Sequence, residues 1–417
     1  MCREETREAI FGSCQMRLLQ GVSEHIFEST LATYDPYDLW KSELGVLLKK
    51  LYYRYGVIVF PIIAPLVLSD LYAPKLIRNR IKKSEFPIVR ALAVLCALNL
   101  YECTGDRKYI GYAKSSAKWL IHHRIPGFEG SCWGHNMQWM SKNGYYSPST
   151  PFITITPYCV EALLKYYDVT ADEEAFKFGI SSVHYLEKNL KVCLDEVDKL
   201  ALSYGPCQER RIVINANSYA MMMYSMLAGR LPMQKDILLG QAQRIFNFIK
   251  SRQKSDGSWL YYDDNEKGNF VDCLHSCFIL KNLLKYKHYS GVKVSDIVDR
   301  GLEYILKKLM DYNFLLVKKF SIQSYPSVVK FDLYDQAELL NVLLMTDKLD
   351  LAKLLIDSIM KYFHLSSNNS FGCQIDIFGR LNKMTYLRWG VMPLLYVLSE
   401  CHTYVKDCDD FFSKSII

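Results

Sequence analysis

Six mostly apolar, helix-length segments recur along this chain at nearly even spacing, each preceded by a polar or aromatic cluster. They begin near Arg90, Thr156, Asn215, Asp272, Asp332 and Arg388, in steps of 66, 59, 57, 60 and 56 residues. A period of this length is a supersecondary unit repeated, because one unit cannot bury its apolar face alone. The repeat predicts an all-α fold, an (α/α)6 toroid of six helical hairpins around a central cavity. It assigns residues 34–417 to a single toroid domain behind an N-terminal segment, 1–33. Length alone, 417 residues, would suggest two or three domains. Equal units around one ring override that prior, since they share one core.

The apolar segments, at 87–103, 157–169, 215–228, 271–286, 331–345 and 386–400, are apolar nearly all round and are expected to form the inner layer. Segments 107–123, 172–190, 234–252 and 294–310 alternate charge with apolar residues at three-to-four spacing, which suits an outer layer. Inner-to-outer turns are short, as at Thr104-Gly105-Asp106 and Thr170-Ala171-Asp172. The returns are long, roughly 18 to 30 residues, and long connections in compact domains are usually functional. Regular alternation puts every long loop on one face, together with the N-termini of the inner helices. Helix N-termini favour anions, so that face is where a ligand is expected.

Composition narrows the partners. Hydrophobic residues make up 50% and charged residues 23%, as in a globular protein. The net charge of +7 is mild, and no basic face suited to nucleic acid is evident, so no nucleic-acid partner is expected. The dense basic run 75–83 (KLIRNRIKK) reads as a solvated face or a loop, with contact to anionic lipid or an acidic partner as the alternative. Thirteen cysteines without a C-x-x-C pair, several inside apolar helix patterns, read as reduced thiols. With no signal-peptide core at the N-terminus, a cytoplasmic location is expected. The apolar run 57–68, with Pro61 and Pro65, is too short for a span of roughly 20 residues. It reads as a kinked, buried segment, with shallow membrane contact as the alternative. Residues 34–55 read as a helix capped by Asp35 with Pro36 in its first turn.

Several clusters can carry chemistry. Asp272 and His275 lie three apart on one helix face, as a base and its orienting carboxylate would. Cys273, His275 and Cys277 also admit zinc, but Cys273 and His275 fall about 200° apart on a helix. No metal or other cofactor is therefore expected. The loop 131–151 sets His135, Trp139 and Tyr146 among amides, as a carbohydrate groove requires, or as a packed lid would. Asn215 and Asn217, with Arg211 before them, open the third inner helix. Asp332, Asp335 and Gln336 open the fifth, and Arg388 and Trp389 the sixth. Gln253, Gly257 and Trp259 form a Q-x3-G-x-W brace, with a degenerate copy at Gly130 and Trp133. The run Asp407-Cys408-Asp409-Asp410 spells D-x-D-D but lies in the charged tail, outside any inner helix.

In order, YDPYD (34–38), WGHNMQW (133–139), the Asn215/Asn217 pair, DGSW (256–259), DCLHS (272–276), FDLYDQA (331–337) and RWG (388–390) form a pattern. It resembles bacterial α/α-toroid proteins encoded among capsule and exopolysaccharide biosynthesis genes, within the six-hairpin superfamily of terpenoid cyclases and protein prenyltransferases. The resemblance spans nearly all of the chain beyond about residue 30 and implies a glycan context. The prenyltransferase zinc set is not matched.

The expected function is a glycan-processing enzyme, of epimerase or lyase type, acting on a uronate-containing glycan or its lipid- or nucleotide-linked precursor. His275 is the expected acid or base, Asp272 its orienter and Tyr146 a second acid. Arg211 and Arg388 would clamp the carboxylate. Trp139 and Trp389 would stack on sugar rings, with His135, Asn215, Asn217, Asp332, Asp335 and Gln336 completing the substrate site. Peripheral membrane or synthesis-complex association is a further expected partner interaction. Two alternatives stand: a non-catalytic glycan-binding or scaffold subunit, and an isoprenoid-handling toroid.

Overall fold

The structure, a computed structural model, describes residues 13–78, 81–207, 209–323, 327–367 and 369–401. The Asp407–Asp410 run lies outside them. Four helices precede the repeat: α1 (Ser13–Glu28), α2 (Glu43–Tyr55), α3 (Phe60–Tyr72) and α4 (Pro74–Arg78). Inner and outer helices then alternate as α5 (Pro87–Thr104) and α6 (Lys108–His122), α7 (Thr156–Thr170) and α8 (Glu173–His184), α9 (Ile214–Ala228) and α10 (Lys235–Ser251). They continue as α11 (Cys273–Ser290) and α12 (Ser295–Lys308), α13 (Leu333–Met345) and α14 (Leu349–Phe363). A π turn at Leu387–Val391 leads into the sixth inner helix, residues 392–401. The architecture is the α/α toroid that the repeat predicts.

The inner layer is buried on all sides, and every residue of α9 is buried. Such helices are held by packing and by a few buried polar links. Asn282 donates to Ser218 between α11 and α9 at 3.0 Å. Asn99 of α5 donates to Ser399 at 2.9 Å, tying the first inner helix to the sixth. The short turns use left-handed caps at Gly105, Ala171 and Gly291. Within segment 1–33, α1 contributes Leu19, Val22 and Ile26 to the main core. It packs on Ile356 and Met360 of α14 and on Leu395 and Leu398. Glu24 accepts from Tyr109 of α6 at 2.7 Å. It thus takes the outer-layer place beside the sixth inner helix.

The return loops carry short strands that fix where inner helices begin. Val271–Asp272 pairs antiparallel with Phe320–Ile322, and Val329–Asp332 with Gln374–Asp376. The Q-x3-G-x-W brace works as expected. Gln253 donates to Gly257 O and Ile297 O, and the Trp259 indole to Ile249 O at 3.0 Å. Gly257 has φ +93°, and a Cβ there would sit 2.3 Å from Arg300 O. The degenerate copy repeats this geometry. Trp133 donates to Leu120 O at 2.9 Å, and a Cβ on Gly130 (φ +74°) would lie 2.0 Å from Ser181 O. In both units the loop leaving one outer helix abuts the next outer helix, and only glycine admits the approach.

Two expectations for the N-terminal region are corrected. The helix expected over 34–55 begins at Glu43, capped by the Ser42 hydroxyl on Gly45 N. Asp35 cannot cap it, because its carboxylate grips Arg388 and the Tyr37 amide. The run 57–68 is not buried: Val57 and Ile58 are 79% exposed, and within it only Val59 and Ile63 are buried. The chain turns at Gly56 (φ +61°), Pro61 opens α3 rather than kinking it, and Pro65 lies inside α3.

The ring axis is filled. Lys281 of α11 bonds Glu338 of α13 at 2.7 Å and the Tyr158 hydroxyl of α7 at 2.8 Å, and Tyr158 meets the Tyr219 hydroxyl at 2.8 Å. One and two turns further along the inner helices, Lys285 pairs with Glu161, and Lys165 with Glu102. Toward the loop face the axis is aromatic, with Phe278 between Tyr219 and Tyr334. The open central cavity expected from the repeat is thus occupied by side chains.

Candidate active site

Asp272 ends a strand and starts α11, and both places matter. Its carboxylate caps the helix by accepting from His275 N at 2.9 Å. The same group holds the imidazole: His275 Nδ1 lies 2.7 Å from Oδ2 and 2.9 Å from Oδ1. Spacing of three on a helix brings the ring back over the cap. With Nδ1–H directed at the carboxylate, the other nitrogen, Nε2, carries the lone pair. It makes no hydrogen bond among the described residues. His275 is 27% exposed, and its ring stands edge-on to Tyr261, Phe270 and Phe278. Asn215, Trp259, Tyr261, Phe270, Asp272 and His275 line a crevice of about 10 Å³, room for roughly one water. That is far below the ~300–1,000 Å³ of an established small-ligand pocket.

From His275 an unbroken series of ring contacts crosses the loop face. Phe278, Tyr334, Trp389, Tyr37 and Trp139 follow at centroid distances of 5.9, 5.8, 5.4, 5.2 and 4.7 Å. Trp389 and Trp139 therefore both pack edge-on against Tyr37. Asp332 caps α13 through Oδ1, and its Oδ2 accepts from Lys319, Gln374 and Trp389 at 2.7, 2.9 and 2.9 Å. Asn215 Oδ1 is buried without a partner beside His275, as a ligand-binding amide would be.

Other expected site residues are used by the fold. Arg388 makes a buried two-pronged bridge to Asp35, at 2.5 and 2.6 Å. Arg211 does the same with Asp264, at 2.6 and 2.5 Å, over the Tyr262 ring. Neither guanidinium is available as a carboxylate clamp. Asn217 and Gln336 bond backbone groups of Leu202 and Val317 and anchor loops. Tyr146 is not beside His275. It is buried and donates to Glu209 at 2.6 Å, and burial with that carboxylate raises its pKa far above the ordinary value. The imidazole of His135 packs on Phe152, and burial plus the Arg388 charge push its pKa down to about 3. Asp335 is fully buried, and neither of its oxygens makes a well-formed hydrogen bond. Burial, only partly offset by Lys319, raises its pKa well above the usual carboxylate range. The anion site expected at the helix N-termini is weakened too, since α11 and α13 are capped by their own aspartates.

Sequence reasoning missed Glu209 and Lys49 and misread the role of Asp35. Glu209 accepts from Tyr146 and from Tyr204 N, yet burial pushes it up to about 7. Lys49 of α2 stands 3.7 Å over Trp139 and near Tyr37 and Trp40, and burial pulls it down to about 7. Asp35 lies 353 positions from its arginine. No local pattern shows these roles, because each depends on a contact between distant parts of the chain. Cys273 and Cys277 lie 3.7 Å apart, with Cys273 directed at Asp335 O and away from the His275–Asp272 pair. Among the described residues no three His, Cys, Asp or Glu side chains group as metal ligands would.

The fold defines a class, the α/α toroids. Solved structures similar to the chain include a cellobiose 2-epimerase from Bacillus thermoamylovorans, at TM-score 0.61 and 14% identity, covering 78% of this chain and 88% of that one. A glycoside hydrolase family 76 α-mannanase from Bacteroides thetaiotaomicron follows at 0.58 and 10%, over 78% and 88%. A family 105 glycoside hydrolase from C. acetobutylicum aligns at 0.56 and 12%, over 80% and 99%. At these identities the likeness establishes the shared toroid. No family model matches the sequence, and no curated protein does.

Proposed function

We propose that the chain is a carbohydrate-processing enzyme whose proton-transfer group is the His275–Asp272 dyad. The observation that carries this reading is one imidazole with one nitrogen held by a buried carboxylate and the other open to an aromatic-walled crevice. Nε2 can take a proton from a sugar carbon beside a carbonyl or carboxylate, leaving the electron pair in an enol or enolate. With one base in reach, the planar enol must turn over before Nε2–H returns the proton to its other face and epimerises that carbon; if the β-oxygen leaves instead, protonated by Nε2–H, the elimination is complete. Asp272 holds the tautomer and stabilises the imidazolium, so that proton transfer by His275 can contribute about 10²–10⁴-fold in rate. The sugar chemistry of the similar toroids, an epimerase and two glycoside hydrolases, supports this substrate class. With Arg211 and Arg388 both paired, a uronate is no longer favoured over a neutral sugar. A polysaccharide-biosynthesis setting, with a lipid- or nucleotide-linked sugar as substrate, rests on the motif resemblance alone. A second reading, a non-catalytic glycan-binding subunit, draws support from the filled axis and the small crevice.

The test is hydrogen exchange in D2O, followed by NMR, with cellobiose, mannose and a uronate-containing oligosaccharide. The expected result is loss of a carbon-bound proton signal with wild type, abolished in His275→Gln and slowed about 10²–10⁴-fold in Asp272→Asn. Exchange retained in His275→Gln removes the dyad from the chemistry. Sugar binding without exchange supports the second reading.

A further inference from the structure

The helices α2 and α3 lie against the loop face yet carry the densest run of exposed large apolar side chains among the described residues. Among the described residues, eleven of twenty-two exposed large hydrophobic side chains fall between Leu44 and Tyr72. The pair has its own small core, Leu48 against Val59 and Ile63, separate from the toroid core. Its outer side carries Leu44, Leu47, Phe60 and Ile62, and its tip Val57 and Ile58. Beside Tyr72 the patch continues onto Ile377 and Phe378, the turn that follows its partner Asp376. A contiguous exposed patch of this kind is uncommon on a soluble monomer and marks an interaction surface.

Charge identifies the partner. Residues 41–83 hold nine lysines and arginines against two acidic residues, a net charge of +7. That equals the net charge of the whole chain, so the remaining residues balance to zero. Lys50, Arg54, Lys75, Lys82 and Lys83 are exposed around the apolar face. Glu43–Tyr72 is, by length and composition, a helical stretch apolar enough to cross a bilayer, with a mean hydropathy of 1.8. The turn at Gly56 (φ +61°) divides it into two helices of 13 residues, each short of the roughly 20 that span one, and charges interrupt α2. Short apolar helices rimmed by cations lie in the membrane interface, where anionic headgroups meet the lysines.

We propose that α2 and α3 dock this protein on an anionic bilayer surface. The docked orientation follows from contacts on the inner side of the pair. Lys49 stands over Trp139, Gln138 donates to Lys41 O at 2.8 Å, and Tyr72 donates to Asp376 at 3.0 Å. Docking therefore turns the loop face, with His275 and the aromatic series, toward the membrane. This placement does not depend on which reaction the toroid performs.

The test is co-flotation of the full chain with vesicles of phosphatidylcholine alone or mixed equally with phosphatidylglycerol. Wild type is expected to float with the mixed vesicles, and less so as salt screens the lysines. Val57→Asp with Ile58→Asp is expected to lower the bound fraction by at least about tenfold with no change in melting temperature. Lys82→Glu with Lys83→Glu is expected to lower it by about tenfold on mixed vesicles only. No flotation of wild type, or equal flotation of the tip variant, overturns the proposal. So does a self-association that the tip variant abolishes without lipid, since the patch then belongs to a second copy.

Discussion

Lys281→Met tests whether the charges on the ring axis hold the toroid shut or serve its chemistry. The Lys281 and Glu338 side chains are 2% and 4% exposed and 2.7 Å apart. Methionine keeps the length and apolar stem of lysine but leaves Glu338 alone in the core. The variant then either buries a bare carboxylate or protonates it. Neutralising a carboxyl of ordinary pKa 4.3 at pH 7 costs about 3.7 kcal/mol, which caps the penalty of the first choice. Losing the bond to Tyr158 adds about 1 kcal/mol. The expected loss at pH 7 is therefore about 3–5 kcal/mol, in the range for broken buried pairs. Because protonation limits the penalty, it falls by about 1.4 kcal/mol for each pH unit below 7. Adding Glu338→Leu removes the stranded charge, and the double variant is expected within about 1 kcal/mol of wild type. Urea unfolding followed by tryptophan fluorescence and by circular dichroism gives the values, provided both probes coincide at constant slope. A single-variant loss below about 1 kcal/mol, or a double variant as unstable as the single variants summed, would refute a structural pair. A stable double variant with no exchange activity would instead place the pair in the chemistry.

Three further outcomes follow from particular contacts. Asp272→Ala should lose about 1 kcal/mol from the missing helix cap, while Asp272→Asn keeps the cap and loses only a few tenths; thermal melting of the two, if equal, contradicts the cap. Burial raises the Asp335 carboxyl pKa, so the folded state binds its proton more tightly than the unfolded chain, whose aspartate titrates near about 3.9. Stability should then fall as pH rises from about 4 toward the raised value. Asp335→Asn should flatten melting temperature between about pH 5 and 8, and parallel wild-type and variant profiles would show that Asp335 is not the cause. Ala171 holds φ +56° at the cap of α7, where glycine carries no Cβ penalty, so Ala171→Gly should raise stability by about 0.5–1 kcal/mol in the same urea assay.

The site was legible in the sequence only where it is local. Asp272 and His275 are neighbours on one helix face, and helical geometry alone brings them together. The glycines and tryptophans of the braces were legible for the same reason, since each closes a turn within about a dozen residues. Arg211 and Arg388 read as clamps because their types and positions suit that role, yet each is neutralised by an aspartate from another loop. Side-chain type shows what a group can do, and only its neighbours show whether it is free to do so.

The repeat by itself determined the six inner helices, their order and the face on which their N-termini gather. Those follow from apolar periodicity and loop length, which the chain carries locally at every unit. Only the tertiary structure decided that the ring axis closes on Lys281, Glu338 and two tyrosines, since none of these residues adjoins another in sequence. It also decided that 57–68, as apolar as any core strand or helix in its composition, stays at the surface. Apolar residues record that surface must be covered, and the fold alone determines whether the chain itself covers it.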